Sequence, residues 1–168
     1  MKSYFTRITL LTSVLLFANI SIADTLQGRV VGLADGDTVT VLDSLNVQFK
    51  IRLMGIDAPE KKMSFGQRSK EHLSDLVFNK QVTVEYSKRD KYGRTVGKII
   101  VNGVDANLEQ VKAGMAWHYK QYQREQSVDD RSAYAQAEER ARTAKAGLWI
   151  DPDPTPPWDW RHTKKEKN

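Results

Sequence analysis

The stretch Arg52-Leu53-Met54-Gly55-Ile56-Asp57-Ala58-Pro59-Glu60 shows where the chain must turn and which charges meet at that turn. An apolar run begins at Arg52 and ends beside Asp57 and Glu60. Pro59 has a fixed φ and disfavours helical backbone in the residue before it, so a strand should end here. The stretch therefore predicts one cation and two anions at the end of one strand.

The composition is typical of one globular domain with a basic surface. Of 168 residues, 40% are hydrophobic and 28% are charged. The chain has no cysteine, which excludes disulfides, thiolate metal sites and cysteine nucleophiles, and its three histidines lack the spacing of metal ligands. The formal net charge of +5 suits a polyanionic partner, although a solvated basic face would give the same value.

Residues 1–23 have the pattern of a secretory signal peptide. Lys2 and Arg7 precede a mostly apolar run, and Ser21-Ile22-Ala23 offers small residues at both cleavage positions. We expect cleavage after Ala23 and a secreted or periplasmic mature chain. Its net charge would be +3, because the removed segment holds two basic and no acidic residues. An uncleaved anchor is the alternative, but the run is short for a membrane span and contains polar residues.

Five short strands are predicted from alternating apolar residues and turn signals, at residues 26–33, 37–42, 47–53, 81–86 and 95–101. Asp35-Gly36 and Asn102-Gly103 are hairpin-type turns. One apolar set should face inward on the third strand: Val47, Phe49, Ile51 and Leu53. Five strands with a helix inserted after the third are compatible with a small barrel, which leaves no exposed strand edges.

Three helices are predicted, at residues 65–79, 106–113 and 128–146. Ser64 should cap the first, Asp105 or Asn107 the second and Ser127 the third.

The composition changes near residue 150. Four of the five prolines lie in residues 152–157, close to Trp149, Trp158 and Trp160. We therefore divide the mature chain into a domain of residues 24–150 and a Pro/Trp-rich tail of residues 151–168. The tail should be extended and frayed at its end, with its aromatic side chains docked on the body. A peptide ligand for an aromatic groove is the alternative interpretation.

Acidic residues occur at two turns that could meet at one rim of a barrel. Asp35 and Asp37 lie at the first turn, and Asp57 and Glu60 lie at the second. Like charges persist at close range only if a cation or arginines compensate them. Oxygen ligands without Cys or clustered His suit a hard cation such as Ca²⁺ or Mg²⁺. Both turns are also common structural features, so a purely structural role stays open.

Two arginines could reach the same rim, Arg52 from its strand and Arg94 from the turn that precedes it. A guanidinium group binds two phosphate oxygens at once and stays charged at any pH the protein meets. Two arginines and a divalent cation opposite one general base are what phosphodiester hydrolysis requires. Exposed arginines with surface partners are the alternative.

Three segments in order resemble the signature segments of the staphylococcal nuclease family: Asp35-Gly36-Asp37-Thr38, Arg52 to Glu60, and Asp90-Lys91-Tyr92-Gly93-Arg94. The resemblance spans residues 26–149, and residues 156–161 also look like the tail of exported bacterial members. It implies an α+β fold that is mainly a five-stranded barrel of the oligonucleotide-binding (OB) type. About three helices would accompany the barrel, one of them inserted after strand 3.

The resemblance also implies roles for individual residues. The implied Ca²⁺ ligands are the side chains of Asp37 and Asp57 and the carbonyl of Ala58. Glu60 would be the general base, and Arg52 and Arg94 would hold the scissile phosphate. Substrate contacts are implied for Lys91, Tyr92, Tyr119 and Tyr122. The best-known members carry Thr at the position of Ala58, so this chain departs from them there. The missing hydroxyl could cost a hydrogen bond beside the metal ligand and lower the metal affinity by a modest factor.

The implied activity is Ca²⁺-dependent cleavage of DNA and RNA, preferably unpaired, to 3′-phosphate and 5′-hydroxyl ends. Tyrosines near lysines agree with this, because bases stack on aromatic rings while cations follow the backbone. The protein should act as a monomer without an obligate protein partner. The alternative hypothesis is a binding module of the same fold that has lost catalysis, although none of the acids or arginines is missing.

Overall fold

The computed structural model describes residues 24–166, so the predicted signal peptide of residues 1–23 lies outside the described residues. In chain order the elements are β1 (Asp24–Leu33), β2 (Thr38–Leu42), β3 (Gln48–Leu53), β4 (Ile56–Asp57), α1 (Gly66–Val77), β5 (Gln81–Arg89), β6 (Thr95–Val101), β7 (Val104–Asp105), α2 (Ala106–Lys112), β8 (Trp117–His118), a 3₁₀ helix (Lys120–Glu125), α3 (Val128–Thr143), a second 3₁₀ helix (Gly147–Ile150) and α4 (Pro157–Glu166). Within this described part, no helix combines the length and apolar character needed to cross a bilayer.

Strands β1, β2, β3, β5 and β6 form a closed barrel. β1 pairs antiparallel with both β2 and β5, β2 pairs with β3, and β5 pairs with β6. A parallel pairing between β3 and β6 closes the circle, with Ile51 opposite Thr95 and Arg52 opposite Val96. The result is a five-stranded mixed barrel with helices, which confirms the predicted α+β, OB-type fold class.

The barrel interior is filled by the alternating apolar positions of the strands. The residues with 0% exposure on the strands are Val30, Val41, Ile51, Val84 and Ile99. Helices α1, α2 and α3 cover the barrel with Leu73, Val111 and Tyr134. The prediction that Val47 faces inward was wrong, because it precedes β3 and is 47% exposed.

The predicted strand does not continue to Pro59: β3 ends at Leu53, and the backbone turns before β4 begins at Ile56. Gly55 adopts a φ of 76°, a conformation that favours glycine, and the backbone turns there. β4 then pairs with β8 instead of joining the barrel. Met54 N donates to Gly97 O at 2.8 Å and Tyr119 N donates to Gly55 O at 2.8 Å, so both sides of the turn are held.

The predicted helices exist, but one cap and several ends differ. Ser127 accepts from Asp130 N and Asp105 accepts from Leu108 N, as predicted for α3 and α2. Ser64 does not cap α1, because Phe65 occupies the cap position with a φ of 64° and no side-chain cap hydrogen bond. Helix α3 ends at Thr143, earlier than predicted.

The tail differs most from its prediction. Residues 157–166 form helix α4 instead of an extended, frayed segment. The physical reason lies at Pro157, whose fixed φ and missing N–H suit the first position of a helix. Docking of the tail is observed: Trp158 stacks on Tyr119 with ring centroids 5.4 Å apart and meets Trp117 edge-on at 6.3 Å.

Candidate active site

The two acidic turns meet at one rim of the barrel. Asp37 Oδ2 accepts a hydrogen bond from Ala58 N at 2.8 Å, and Leu53 N donates to Asp37 O at 2.8 Å. Asp37 is 5% exposed and Asp57 is 1% exposed, so both carboxylates are buried. The convergence predicted from the sequence is therefore present for these two residues.

Gly36 allows this close approach. A Cβ atom at Gly36 would lie 1.8 Å from Ser69 Oγ and 2.9 Å from Ala58 Cβ. A side chain of any size would thus push the first acidic turn away from α1 and from the second turn. The glycine in the Asp-Gly pair serves packing as well as the turn.

Arg52 links the two buried carboxylates. Its Nη2 donates to Asp57 Oδ1 at 2.9 Å and lies 3.2 Å from Asp37 Oδ2. Its Nη1 donates to Leu53 O at 2.8 Å and to Ile56 O at 2.9 Å, which closes the turn between β3 and β4. The guanidinium group is thus held mainly by the protein itself.

Arg161 of helix α4 completes the group. Its Nη2 donates to Asp57 Oδ2 at 2.7 Å and its Nη1 donates to Glu60 Oε1 at 2.9 Å. We refer to these five side chains as the carboxylate cluster: Asp37, Arg52, Asp57, Glu60 and Arg161. The role of Arg161 was not foreseen, since nothing in the sequence relates residue 161 to residues 57 and 60.

The carboxylate cluster has more negative than positive charge. Burial raises the pKa of Asp57, and the hydrogen bond from Arg161 and the charge of Arg52 only partly offset this effect. At the edge of the cluster, burial and the neighbouring charge of Asp37 raise the pKa of Asp35 to about 7. Carboxylates that resist ionisation in this way indicate a place where a further cation would be stabilised.

The donor set fits a hard cation. Among residues 24–166, no three acidic or histidine side chains are grouped as a complete metal site. However, Asp37 and Asp57 both lie within 3.2 Å of one arginine nitrogen, so their oxygens converge. Carboxylate oxygens are preferred by Ca²⁺, which commonly completes its shell with backbone carbonyls and waters. The backbone of Ala58 lies beside Asp37 and could supply such a carbonyl.

Arg94 lies on the barrel but outside the contacts of the cluster. It precedes Thr95, which is opposite Ile51 in the β3–β6 register. Its Nε donates to Asp90 Oδ2 at 2.7 Å, and its guanidinium carbon lies 5.4 Å from the centre of the Tyr92 ring. Burial raises the pKa of Asp90, but the hydrogen bonds from Arg94 and Tyr92 outweigh it, so the pKa is lowered overall.

The predicted substrate-contacting residues form two aromatic groups, in which Tyr92 and Tyr122 are exposed and Tyr119 is half-buried beneath Trp158. Tyr92 is 71% exposed, with Lys91 Nζ 5.2 Å from its ring centre. Tyr119 and Tyr122 meet edge-on at 4.9 Å, and Tyr122 is 43% exposed. Burial and the charge of Asp57 raise the pKa of Tyr119, which places this ring beside the cluster.

Two buried side-chain amides on α2, which the sequence did not predict as part of the site, donate hydrogen bonds to the turns that form it. Gln110 Nε2 donates to Gly36 O at 2.7 Å and to Ser69 O at 3.1 Å, tying the first acidic turn to α1. Asn107 Nδ2 donates to Met54 O at 3.0 Å and so holds the turn between β3 and β4, which leads to Asp57. Both residues are fully buried. Polar residues three apart on the buried face of a short helix are the signal that could have found them.

Comparison with known proteins identifies the class to which this barrel and its acidic rim belong. A family model described as staphylococcal nuclease homologue matches residues 50–151, which is more than half of the chain. The chain therefore belongs to the staphylococcal nuclease family.

Relatives in three bacteria agree with this assignment. A protein of Escherichia coli O157:H7 described as an uncharacterized endonuclease is 46% identical over 140 residues, covering 83% of this chain and 87% of the relative. One of Haemophilus influenzae with the same description is 43% identical over 159 residues, covering 93% and 86%. A micrococcal nuclease of Shigella flexneri is 36% identical over 148 residues, covering 83% and 82%. The protein is thus a nuclease, and its substrates are nucleic acids.

Proposed function

We propose that the protein is an exported, Ca²⁺-dependent endonuclease that cleaves DNA and RNA to 3′-phosphate and 5′-hydroxyl ends. The observation that carries this proposal is the convergence of Asp37, Arg52, Asp57 and Glu60 in one group, in which Arg52 joins the two aspartates and Arg161 joins Asp57 to Glu60. Phosphodiester hydrolysis needs a base for water and positive charge for the phosphoryl oxygens, and this group offers residues for both.

Glu60 is our candidate for the general base. Its side chain is 33% exposed, so water can reach it, unlike the buried carboxylates of Asp37 and Asp57. It would take a proton from water as the water oxygen bonds to phosphorus and the bond from phosphorus to the 5′-oxygen breaks. The departing 5′-oxygen then gains a proton from solvent water, Glu60 later returns its own proton to solvent, and the phosphate stays on the 3′-side.

The two predicted phosphate-binding arginines differ in how much of each is available to substrate. Arg52 already uses both terminal nitrogens on protein oxygens, which suggests that it mainly holds the two carboxylates in place. The side-chain hydrogen bond described for Arg94 uses Nε. Arg94 is therefore the better candidate for a two-pronged contact with the phosphate.

Asp37 and Asp57 would hold Ca²⁺ through their side chains, and Ala58 would hold it through its carbonyl. When bound, Ca²⁺ would supply positive charge that neutralises the phosphoryl oxygens. Asp37 accepts a hydrogen bond from Ala58 N, so these two ligands would be positioned together. The missing side-chain hydroxyl at Ala58 leaves this backbone contact intact.

The exposed aromatic residues support a preference for unpaired nucleic acid. Lys91 lies over the exposed ring of Tyr92, and Lys88 lies over the exposed ring of Tyr122, so each group combines a cation with a ring on which a base can stack. One face of the Tyr119 ring is already covered by Trp158. Unpaired strands also reach the site at the least unstacking cost. We propose both groups as substrate contacts.

The test is an assay of the purified protein with single-stranded DNA in Ca²⁺, in Mg²⁺ and in chelator, with identification of the product ends. Cleavage in Ca²⁺ alone that leaves 3′-phosphates is the expected result. Cleavage in Mg²⁺ that leaves 5′-phosphates would contradict the proposed roles. Binding without cleavage under every metal would favour an inactive binding module.

Export is proposed from residues 1–23 alone, as a periplasmic or secreted location. Fractionation of the producing cell, followed by N-terminal sequencing of the recovered protein, tests it. A mature chain that begins near Asp24 outside the cytoplasm is expected. A chain that keeps Lys2 and Arg7 would contradict cleavage.

A further inference from the structure

Arg161 makes contacts that an ordinary surface arginine does not make. Its two terminal nitrogens bind both oxygens of Asp57, at 2.7 and 3.3 Å, and one of them also binds Glu60 at 2.9 Å. Asp57 is our proposed cation ligand, and Glu60 is our proposed general base. One side chain thus contacts both of the carboxylates on which the proposed chemistry depends.

The contact joins two segments that are far apart in the sequence. Arg161 and Asp57 are separated by 104 residues in sequence. Helix α4 brings them together, and Trp158, one turn earlier, fixes the helix by stacking on Tyr119 at 5.4 Å. Trp158 also meets Trp117, the residue opposite Asp57 in the β4–β8 pair. The aromatic contacts therefore hold the start of α4 against β8, the strand that pairs with the Asp57 strand β4.

Arg161 and a cation would compete for the same oxygens. An ionised carboxylate offers about four lone-pair positions. On Asp57, Arg52 takes one and Arg161 takes two, so only one position remains beside a positive charge. A divalent cation at this carboxylate would meet repulsion from Arg161 at close range.

We propose that Arg161 is a further functional residue of the site, which neutralises Asp57 and Glu60 in the cation-free protein and must be displaced when a divalent cation binds. This inference rests on the proposed cation site. Arg161 then sets the cation concentration at which the site loads. It also occupies an oxygen of Glu60 until loading, so the base and the cation become available together.

The identity of the side chain matters for this role. Arginine stays protonated at any pH the protein meets, so the charge that Arg161 places on the two carboxylates does not itself change with pH. Its planar fork can span Asp57 and Glu60 at once, as the observed contacts require. At 38% exposure, the side chain of Arg161 has a path to solvent once displaced.

The test is calorimetric titration of Ca²⁺ into the protein without nucleic acid. Arg161→Gln should bind Ca²⁺ about tenfold more tightly or better, because hydrogen bonds between charged groups each account for at least such a factor. The matched control is Arg140→Gln on α3, an exposed arginine whose described hydrogen bond goes to Gln136. It makes the same chemical change and should leave the affinity unchanged.

The outcomes separate this inference from the proposed function. Equal or weaker Ca²⁺ binding by Arg161→Gln would overturn the role of Arg161 and leave the cation site standing. If neither the unaltered protein nor Arg161→Gln binds Ca²⁺, the cation site itself is overturned, and this inference falls with it.

Thermal unfolding gives a second measurement that does not depend on activity. In chelator, Arg161→Gln should unfold at a lower temperature, because Asp57 and Glu60 lose their ion pairs with Arg161 and Asp57 keeps only Arg52. The same excess of Ca²⁺ should then raise its midpoint by more than it raises that of the unaltered protein, since the stabilisation by a ligand grows with the logarithm of its concentration divided by Kd. Equal increases in the two proteins would contradict the proposed competition.

Discussion

The carboxylate cluster and the turn of residues 90–94 both carry charged residues at the barrel rim, but they are held in opposite ways. In the cluster, Asp37 and Asp57 are at most 5% exposed, and each is bound by an arginine or a backbone N–H. In the turn, Tyr92 is 71% exposed and the described side-chain ion pair joins Arg94 to Asp90 within the turn itself.

This contrast shows where function and stability are coupled. The cluster is made of contacts between distant parts of the chain, so changing it should disturb folding as well as activity. The turn is held by local hydrogen bonds from Tyr92 N and Arg94 N to Asp90, so its side chains can change with little effect on the fold. Substitutions can test this division directly.

The largest effect is expected for Glu60→Gln. The substitution keeps the size of the side chain but removes the carboxylate that would accept a proton from water. The catalytic rate should fall by about 10²–10⁴-fold, the range typical of general acid–base catalysis. Single-turnover cleavage of single-stranded DNA measures it. Glu139→Gln, at an exposed position of α3, is the matched control and should retain full activity. Unchanged turnover in Glu60→Gln would rule out this residue as the base.

Arg94→Ala should separate activity from stability. We expect a loss of about 3–4 kcal/mol of transition-state stabilisation, as for other preorganised donors. The free energy of unfolding should change by about 1 kcal/mol, because Arg94–Asp90 is a partly buried ion pair within one turn and makes no contact between distant parts of the chain. Cleavage kinetics and denaturant unfolding measure the two quantities. A large loss of stability would show that the turn is not the independent region that its contacts suggest.

Two glycine substitutions compare the regions structurally. In Gly36→Ala the new methyl group would collide with buried Ser69 and Ala58, so we expect about 3 kcal/mol of destabilisation, at the upper end for overpacking. In Gly93→Ala nothing lies within 4 Å of the new Cβ, and only the φ of 77° opposes it, at about 1 kcal/mol. Urea unfolding of both variants measures the difference. Equal losses would mean that Ser69 and Ala58 move enough to accommodate the methyl group at position 36, and that the packing there is looser than the contacts indicate.

The parts of the fold that depend on local pattern were predictable. The turns at Asp35-Gly36 and Asn102-Gly103 and the alternation of the strands led to the five barrel strands and the fold class. Val47 shows the limit of alternation, since an apolar residue at a strand end need not be covered. Phe65 shows the limit of cap signals. It begins α1 in a left-handed conformation without a side-chain cap, and its ring packs against the cluster of Trp117 and Trp149.

The site was predictable only where the sequence places its residues at turns or on a strand that leads into one. Asp37, Arg52, Asp57 and Glu60 were identified in this way, and their chemical roles stay predictions. Gln110 and Arg161 could not be placed, because they act on residues 74 and 104 positions away. Charge at a chain end and an amide on a helix have many possible partners, and only the folded chain selects one.

The smallest expected effect concerns His118, which lies beneath the cluster in β8 and opposite Ile56. Its Nε2 is hydrogen-bonded to Gln126 at 2.8 Å, whereas its Nδ1 is buried without a hydrogen-bond partner among the described residues. Burial lowers the pKa of His118, because a second ring N–H would be left unsatisfied. The turn of residues 90–94 has no such group.

A lowered pKa in the folded state has a definite sign for stability. As the pH falls below about 6.5, the unfolded chain takes up a proton that the folded protein resists, so unfolding becomes easier. The free energy of unfolding of the unaltered protein minus that of His118→Gln should therefore fall from pH 7.5 to pH 5. The fall should be at most about 1.4 kcal/mol per pH unit. Taking the difference removes the contribution of the carboxylates that titrate in both proteins. A constant difference for His118→Gln would mean that the ring can take up a proton in the folded protein. Water would then reach Nδ1, although the ring is buried.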